Sequence, residues 1–265
     1  MIVLTVGASS GLGFYTALRL AKEGHTVYAG ARSFGGGKAA PEGTLPVALD
    51  VTDDGSVRAA VERVVKEQGR IDAVVNCAAF FQMSACEETD PAVLTRMLDT
   101  DFVGMARVVR AALPHMRAQG GGRIVNFSSL NGLFAIPFQG AYTACKHAVE
   151  GWSEALRMET APFGISVTLI EPGDCRGGSR AYRLENTSPD SPYAKEYASG
   201  TKKIARDENG GMDPDRVARA VARVLAKKRP PMRKMVARPD QALARVLHAV
   251  LPGSLFARII RAYYC

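Results

Sequence analysis

The stretch Ile2-Val3-Leu4-Thr5-Val6-Gly7-Ala8-Ser9-Ser10-Gly11-Leu12-Gly13 decides the fold of this chain. Its first five residues are typical of a buried strand, and the glycines lead into a helical pattern over residues 11–23 and a second strand over residues 26–30. Glycines at such a turn let a pyrophosphate approach the backbone N–H groups at the start of a helix. The sequence therefore predicts a dinucleotide-binding β-α-β unit. We expect the dinucleotide to contact Gly7, Ser9, Ser10, Gly11, Leu12 and Gly13.

Strand and helix patterns alternate along the rest of the chain. Because parallel strands are joined by right-handed crossovers, this alternation predicts an α/β fold: a Rossmann-like, doubly wound parallel sheet in three α/β/α layers, with the ligand beyond the carboxyl ends of the strands. Residues 1–265 suit a single domain, with residues 239–265 as a C-terminal helical extension. Strands are predicted near 2–6, 26–30, 45–49, 72–76, 123–127 and 165–170, with a possible seventh over 233–238, and helices over 11–23, 53–68, 92–118 and 139–160.

The end of the second strand bears on the choice of cofactor. Ala31 and Arg32 stand where an NAD-binding fold usually carries an acidic residue for the ribose 2′-hydroxyl. No acid is there to repel a 2′-phosphate, and Arg32 can pair with one through a charge-assisted fork, which predicts NADP(H). A solvated surface arginine is the alternative. Asp50, after the third strand, is placed to reach the adenine amine or to cap helix 53–68.

Three residues form the predicted catalytic centre. Tyr142 and Lys146 are four residues apart in a helical pattern, so their side chains project from one face. A cation beside the phenol lowers its pKa from near ~10, so that Tyr142 can give a proton to a carbonyl oxygen or take one from an alcohol. Ser129, at the end of RIVNFSS, adds a hydrogen bond to the same oxygen. The trio predicts half of a carbonyl/alcohol redox reaction, and the other half requires a hydride carrier.

Taken in order, these motifs resemble the classical short-chain dehydrogenase/reductase family, over roughly the first two-thirds of the chain. The resemblance implies a single-domain Rossmann-like fold, with Tyr142 as acid/base, Ser129 orienting the substrate oxygen, and Lys146 also holding the nicotinamide ribose. It also implies cofactor contacts from Val51, Asn76, Ala78, Tyr142, Pro172 and Gly173, in addition to the loop. The elements that carry the resemblance are Gly7, Gly11 and Gly13, Asp50-Val51, Asn76-Cys77-Ala78-Ala79, Ser129, Tyr142 with Lys146, and Pro172-Gly173.

Three positions depart from the family pattern. Val6 replaces a usual Thr and Ala79 a usual Gly, each a tolerable loss of a local hydrogen bond or of backbone freedom. Asp101 stands where the family has a catalytic Asn whose backbone carbonyl binds a water in the proton relay. Aspartate is compatible with that main-chain contact, but a carboxylate near Lys146 changes the local charge balance. Asp101 is therefore a catalytic candidate, and the alternative is that it only keeps a structural bend.

The last third of the chain bears on the substrate. Residues 174–211 carry Gly, Ser and Pro together with Tyr182, Leu184, Tyr193 and Tyr197, which predicts a substrate flap over an apolar ligand. A surface connection without function is the alternative.

Other stretches resemble one branch of the family. Residues 137–142, residues 150–157 and the long basic C-terminus look like the branch that contains 17β-hydroxysteroid and retinol dehydrogenases. This resemblance implies a large apolar ketone or alcohol such as a hydroxysteroid. Other carbonyl substrates (retinoid, 3-oxoacyl or xenobiotic) are alternatives. A further alternative is a catalytically impaired NADP(H)-binding sensor or scaffold, which is suggested by Asp101 in place of the usual Asn.

Positive charge is concentrated near the C-terminus. The net charge is +8, and residues 201–265 hold fifteen Lys and Arg against five Asp and Glu. The basic stretch 227–234 can meet phosphate groups or an anionic membrane surface; a solvated basic face is the favoured alternative, and no nucleic-acid partner is predicted. Apolar residues at helical spacing in 242–251 and 255–264 predict packing on the domain and a wall of the substrate pocket, with peripheral membrane contact as the alternative.

The remaining sequence features bear on location and assembly. Five cysteines without C-x-x-C spacing argue against a disulfide framework or a zinc site, so no metal is predicted and a reducing cytoplasm fits. Met1 is followed at once by the first strand, which leaves no room for a signal peptide, and no apolar run approaches membrane-spanning length. The family resemblance implies a homodimer or homotetramer through helices 92–118 and 139–160.

Overall fold

A seven-stranded parallel sheet forms the centre of the computed structural model, which describes residues 1–177 and 183–265. Its strand order is β3-β2-β1-β4-β6-β7-β9, so the order reverses between β1 and β4, and a short parallel pair, β5 and β8, lies apart from it. All six predicted strands and the seventh are found. The strands are β1 Ile2–Val6, β2 Thr26–Ala31, β3 Leu45–Ala48, β4 Ala73–Asn76, β5 Phe81–Met83, β6 Gly122–Phe127, β7 Ile165–Pro172, β8 Arg183–Glu185 and β9 Arg233–Val236.

Helices cover both faces of the sheet. Because side chains alternate along a strand, Val3 of β1 packs in the core with α1 and α7, and Leu4 packs in the core with α2, α4 and α5. This confirms the doubly wound, three-layer α/β/α fold. The helices are α1 Gly11–Lys22, α2 Asp54–Gln68, α3 Pro91–Leu98, α4 Gly104–Ala118, α5 Gly140–Thr160, α6 Ala194–Asn209, α7 Pro214–Ala226, α8 Pro239–Val250 and α9 Gly253–Tyr264.

The helix predicted over residues 92–118 is divided. A π-helical turn at Asp99–Val103 separates α3 from α4. Two features accompany the turn: Asp101 is directed into the interior, and Gly104 lies so close to Val51 that a Cβ there would come within 2.8 Å of the valine side chain. Single π-turns inside helices often occur at functional sites. The extent of the predicted helix is confirmed, but the i, i+4 apolar pattern did not reveal the π-helical turn inside it.

The predicted flap, residues 174–211, is only partly loop. Tyr182 lies outside the described residues, but β8 and the sixteen-residue α6 fall within this segment. Tyr197 and Ile204 are buried on one face of α6, and Tyr193 precedes it, so the spacing of these apolar residues is helical. Turn-forming residues before α6 hid this pattern from the sequence analysis, which also missed α7 and the β5–β8 pair.

The C-terminal helical extension is confirmed as α8 and α9, which form a hairpin joined at Leu251–Pro252. Phe256 of α9 is buried against Phe134, and Leu247 and Ile260 pack on the same cluster. Within the described part of the chain, no helix is long and apolar enough to cross a membrane.

The basic stretch 227–234 is not one continuous surface. Arg233 on β9 is ion-paired with Glu150 at 2.7 Å and with the fully buried Glu171 at 3.0 Å, so it ties α5 to the edge of the sheet. The carbonyl of Lys227 accepts a hydrogen bond from Arg123 at the start of β6, which puts this part of the stretch at the amino ends of the strands. The stretch therefore lies away from the edge where a ligand is expected.

Candidate active site

One cavity of about 580 Å³ runs along the carboxyl ends of the strands. It begins at the glycine-rich loop, passes Ser129, Tyr142 and Lys146, and ends between α6 and the α8–α9 hairpin. The cavity crosses the point between β1 and β4 where the strand order reverses, which is where doubly wound sheets bind their ligands. The residues predicted for the cofactor loop and for catalysis are therefore brought to one site.

The predicted catalytic trio meets at the middle of this cavity. Lys146 is buried, and its Nζ lies 5.3 Å from the centroid of the Tyr142 ring. The same ammonium donates to the carbonyl of Phe127 at 3.3 Å. Ser129 follows β6 and begins a short turn, in which its Oγ accepts from the Asn131 N–H at 3.2 Å and donates to the Asn131 Oδ1 at 3.4 Å; Ser129 and Tyr142 both line the cavity here. The end of β6 and the first two turns of α5 thus hold the three polar groups together.

The pKa of the Tyr142 phenol is raised, not lowered as the sequence predicted. Burial raises it most; the ammonium of Lys146 acts in the opposite direction, Asp101 raises it, and the hydrogen bond with Ser129 lowers it. The spacing of one helical turn revealed that Lys146 would influence the pKa of Tyr142. It did not reveal that burial of the Tyr142 ring would have the larger effect on this pKa. A raised pKa keeps the phenol protonated at neutral pH, which suits a proton donor.

Asp101 lies behind Lys146. Its side chain is fully buried; Oδ1 accepts from the Phe80 N–H at 2.6 Å, and Oδ2 lies 3.4 Å from the Lys146 Nζ. Burial raises the pKa of Asp101, and Lys146 acts against this. Burial also lowers the pKa of Lys146, but Tyr142 and Asp101 outweigh this effect and raise it. The aspartate therefore contacts the lysine through its carboxylate, in addition to any main-chain role.

The glycine-rich loop has the shape of an anion cradle. Gly7 and Gly11 have positive φ values of 82° and 55°. A Cβ at Gly7 would come within 2.6 Å of the Ala78 nitrogen, and a Cβ at Gly13 within 2.3 Å of the Gly7 carbonyl oxygen. Among the described residues, no side chain caps the first turn of α1, so its N–H groups suit a phosphate. Ser9, Ser10 and Leu12 also line the cavity here, and the loop fits the pyrophosphate of a dinucleotide.

The end of β2 presents groups suited to a second phosphate. Arg32 is exposed and lines the cavity. Ser33, which the sequence analysis missed, also lines it, and its buried Oγ has no hydrogen-bond partner within the described residues. Lys38 was missed as well, and its Nζ donates to the Ser9 carbonyl at 3.0 Å. A lysine directly after a glycine-rich turn was the available sequence signal.

Two residues that were predicted to contact the cofactor have other hydrogen-bond partners in the structure. Asp50 lines the cavity, but its carboxylate accepts from the Thr52 N–H at 3.0 Å, and α2 is capped by Asp53 instead. Asn76 does not reach the main cavity: it donates to Asn126 at 2.8 Å and lines a separate cavity of about 10 Å³ beside Asp101. The Asn76 side chain, at the end of the central strand β4, is directed into the interior and not towards the cofactor cavity. The sequence could not show this direction. The other predicted contacts that line the main cavity are Val51, Ala78, Pro172 and Gly173.

Beyond Tyr142 the cavity wall is largely apolar. The Phe81 ring lies 4.5 Å from the Tyr142 ring, centroid to centroid, and Phe134 and Ile136 also line the wall. Among the larger apolar side chains of the predicted flap, Ile204 lines the cavity; Tyr197 is buried elsewhere and donates to the Met83 carbonyl at 3.2 Å.

Carboxyl groups interrupt this apolar wall near α6. Asp174 accepts from the Gln241 amide at 2.6 Å, and Asp207 accepts from the Tyr263 hydroxyl at 3.0 Å. Burial, followed by the nearby charges of Asp207 and Glu208, raises the pKa of Asp174 to about 6. These residues were missed, because they meet only after the chain has folded. In residues 1–177 and 183–265, no group of three or more His, Cys, Asp or Glu side chains is placed to hold a metal.

Comparisons with known proteins agree with this geometry. The sequence profile of the family described as short chain dehydrogenase matches residues 1–187. A 3-ketodihydrosphingosine reductase from Bacteroides thetaiotaomicron is 37% identical, with 99% of this chain and 97% of that protein covered. The human 17-beta-hydroxysteroid dehydrogenase type 1 is 32% identical, with 88% and 76% covered. A solved short-chain dehydrogenase from Streptomyces avermitilis superposes with a TM-score of 0.80 at 32% identity, with 97% and 94% covered.

Proposed function

Since this chain belongs to the short-chain dehydrogenase family and is an oxidoreductase of carbonyl and alcohol groups, we propose a cofactor and a substrate class for it. The cofactor is NADP(H), and the substrate is a large apolar ketone or the matching secondary alcohol. One observation carries the proposal. The hydroxyl-bearing residues Ser129 and Tyr142 lie in a cavity that has the anion cradle and Arg32 at one end and a largely apolar wall, interrupted by carboxyl groups, at the other.

The roles of this chain's residues follow from their contacts. Ser129 and Tyr142 hydrogen-bond the substrate oxygen, and Tyr142 donates a proton to it in the reductive direction. Lys146 stays charged beside Asp101 and favours the tyrosinate that this transfer leaves. NADP(H), when bound, supplies or accepts the hydride that completes the reaction.

Four features support NADP(H) over NAD(H). Arg32 can form a bidentate contact with a 2′-phosphate, and no acidic residue occupies the end of β2. The buried Ser33 hydroxyl, which has no partner among the described residues, supplies a further donor at the same place. Lys38 adds positive charge beside the loop.

The hydroxysteroid predicted from the sequence is one member of the proposed substrate class. A second candidate, a long-chain 3-oxo lipid with a neighbouring amine, is favoured by the carboxyl groups of Asp174 and Asp207 in the apolar wall, since they suit an ammonium. The name of the Bacteroides relative supports the same candidate. The proposed substrate flap, residues 174–211, contributes Ile204 and these carboxyl groups to the wall.

A turnover assay tests the proposal and separates the substrate candidates. Oxidation of NADPH is measured by absorbance with a steroid ketone, a retinoid, a long-chain 3-oxo lipid and its 2-amino derivative, each also with NADH. We expect turnover with at least one apolar ketone and a preference for NADPH. A higher kcat/KM for the amine than for its amine-free analogue would select the second candidate. Tight NADPH binding without turnover of any ketone would indicate the sensor or scaffold instead. The predicted homodimer or homotetramer stays a prediction.

Replacing Asp101 by Asn is expected to move the pH dependence of ketone reduction. Removing the carboxylate removes a charge that raises the pKa of Tyr142, so that pKa falls. Because reduction requires the protonated phenol, the limb of kcat/KM that declines as pH rises shifts to lower pH. An Asn Oδ1 keeps the acceptor for the Phe80 N–H, which limits structural change.

Asp99 provides the matched control for this variant. It lies two residues away in the same π-helical turn, but it pairs with Arg107 at 2.7 Å on the outside of the helix. The Asp99→Asn variant should keep the parent pH profile. An unchanged profile for Asp101→Asn, or equal shifts in both variants, would contradict the role given to the Asp101 charge.

A further inference from the structure

The α8–α9 hairpin leaves an apolar stripe exposed on each helix. The stripe residues recur at helical spacing, and their side chains are between 41% and 69% exposed. Isolated exposed leucines need no explanation, but two adjacent stripes form a patch. The stripes consist of Leu243, Val246 and Val250 on α8, and of Leu255, Ile259 and Tyr263 on α9.

The patch is not a sign of poor packing. Phe256 is 5% exposed, and Leu247 and Ile260 pack against the cluster that also holds Leu130 and Phe134. Each helix therefore already buries one apolar face in the domain. The stripes are additional apolar surface, beyond what anchors the hairpin.

This surface is continuous with the active-site cavity. Leu243, Ile259 and Tyr263 belong to the exposed stripes and also line the cavity that contains Tyr142. An apolar molecule that leaves the cavity on this side would therefore stay in contact with apolar side chains.

Exposed cations border the patch, and the carboxylates closest to it are engaged, Asp207 with the Tyr263 hydroxyl and Asp240 with Arg238. Residues 241–265 contain three arginines, Arg245, Arg258 and Arg261, and no acidic residue, and all three are exposed. Lys203 of α6 adds its ammonium 4.0 Å above the ring of Tyr263. An apolar face bordered by exposed cations is the pattern of helices that lie in the interface of an anionic bilayer.

We propose that the α8–α9 hairpin docks on the surface of an anionic lipid bilayer, with its two stripes among the lipid headgroups and acyl-chain ends. The cavity mouth then faces the membrane, so an apolar substrate enters without crossing water. The docking stands independently of the redox chemistry; only the route of the substrate rests on the proposed function. A second copy of the chain is a poorer occupant, since a two-fold contact would bring arginines together, and the one acidic side chain of the hairpin, Asp240, is already paired with Arg238 at 2.8 Å.

Vesicle co-sedimentation tests the docking. The parent protein is mixed with vesicles of phosphatidylcholine alone, or with about one-third phosphatidylserine, at low and high salt. We expect binding to the anionic vesicles, at least about tenfold weaker binding to the neutral ones, and a decrease with salt. Recovery of the parent in the supernatant with anionic vesicles would overturn the proposal.

A triple variant, Val246→Ser, Val250→Ser and Leu255→Ser, removes stripe residues that do not line the cavity. It should lower anionic-vesicle binding at least about tenfold and keep the activity on a short, water-soluble ketone. The matched control is Leu45→Ser, Met158→Ser and Phe163→Ser, three exposed apolar residues elsewhere, and it should bind like the parent. Equal vesicle binding by the two triple variants would refute the docking surface.

Two further measurements separate the outcomes. Light scattering without lipid reports assembly: a parent dimer that becomes monomeric only in the stripe variant would show that a second copy covers the patch, and would overturn the proposal. The Tyr142→Phe variant should bind vesicles as the parent does. If the parent binds vesicles but reduces no ketone, the proposed function fails while the docking stands.

Discussion

Replacing Tyr142 by Phe is expected to lower kcat for ketone reduction by about 100- to 10,000-fold, the range typical of a lost general acid. The variant removes only the hydroxyl that donates the proton. Its ring still fits against Phe81, and Lys146 still donates to the Phe127 carbonyl. Binding of NADPH, measured by the change in its fluorescence, should therefore stay within about threefold of the parent value, since no charge that faces the cofactor is lost.

Tyr197→Phe is the matched control for this prediction. It removes a hydroxyl of the same chemistry that donates to the Met83 carbonyl outside the cavity, so kcat should change little. Loss of NADPH binding in Tyr142→Phe, or turnover close to that of the parent, would remove Tyr142 from the acid/base role.

Replacing Arg32 by Ala is expected to raise the Kd for NADPH by about 10- to 150-fold, the equivalent of one charge-assisted contact worth roughly 1.5–3 kcal/mol. The Kd for NADH should hardly change, because NADH carries no 2′-phosphate. Arg32 is exposed and has no ion pair in the described part of the chain, so its loss should not affect folding. Fluorescence titration with both cofactors measures the two constants.

The control for Arg32 is Arg110→Ala, which removes an exposed arginine from α4. It should leave both constants as in the parent. If Arg32→Ala weakens NADPH and NADH alike, the residue contacts a part that both cofactors share, and the preference for NADP(H) has to be carried by Ser33 and Lys38 instead.

The parts of the site that the sequence predicted well are encoded locally. The glycine-rich loop stands between an apolar strand and a helical pattern, so its position followed from adjacent residues. Tyr142 and Lys146 are one helical turn apart, and their proximity needed only the helix. The position of Arg32 was predicted in the same way, because it directly follows the apolar pattern of β2.

The parts that the sequence did not predict depend on long-range packing. Asp101 meets Lys146 from a helix 45 positions earlier in the chain, through a π-helical turn that no spacing rule reveals. The raised pKa of Tyr142 is caused mainly by burial, which depends on how the cavity closes. The carboxyl groups of Asp174 and Asp207 come together in the same way, by packing of distant segments. The exposure of the α8 and α9 stripes depends on how the hairpin packs on the domain.

The most direct test of the central claim follows the transferred hydrogen. The protein is incubated with an apolar ketone that it turns over and with NADPH carrying deuterium at the transferred position, and the product is analysed by mass spectrometry. We expect one deuterium on the carbinol carbon with the parent, and product formation lower by about 100-fold or more with Tyr142→Phe. A product without deuterium, or no NADPH-dependent product from any apolar ketone, would contradict it.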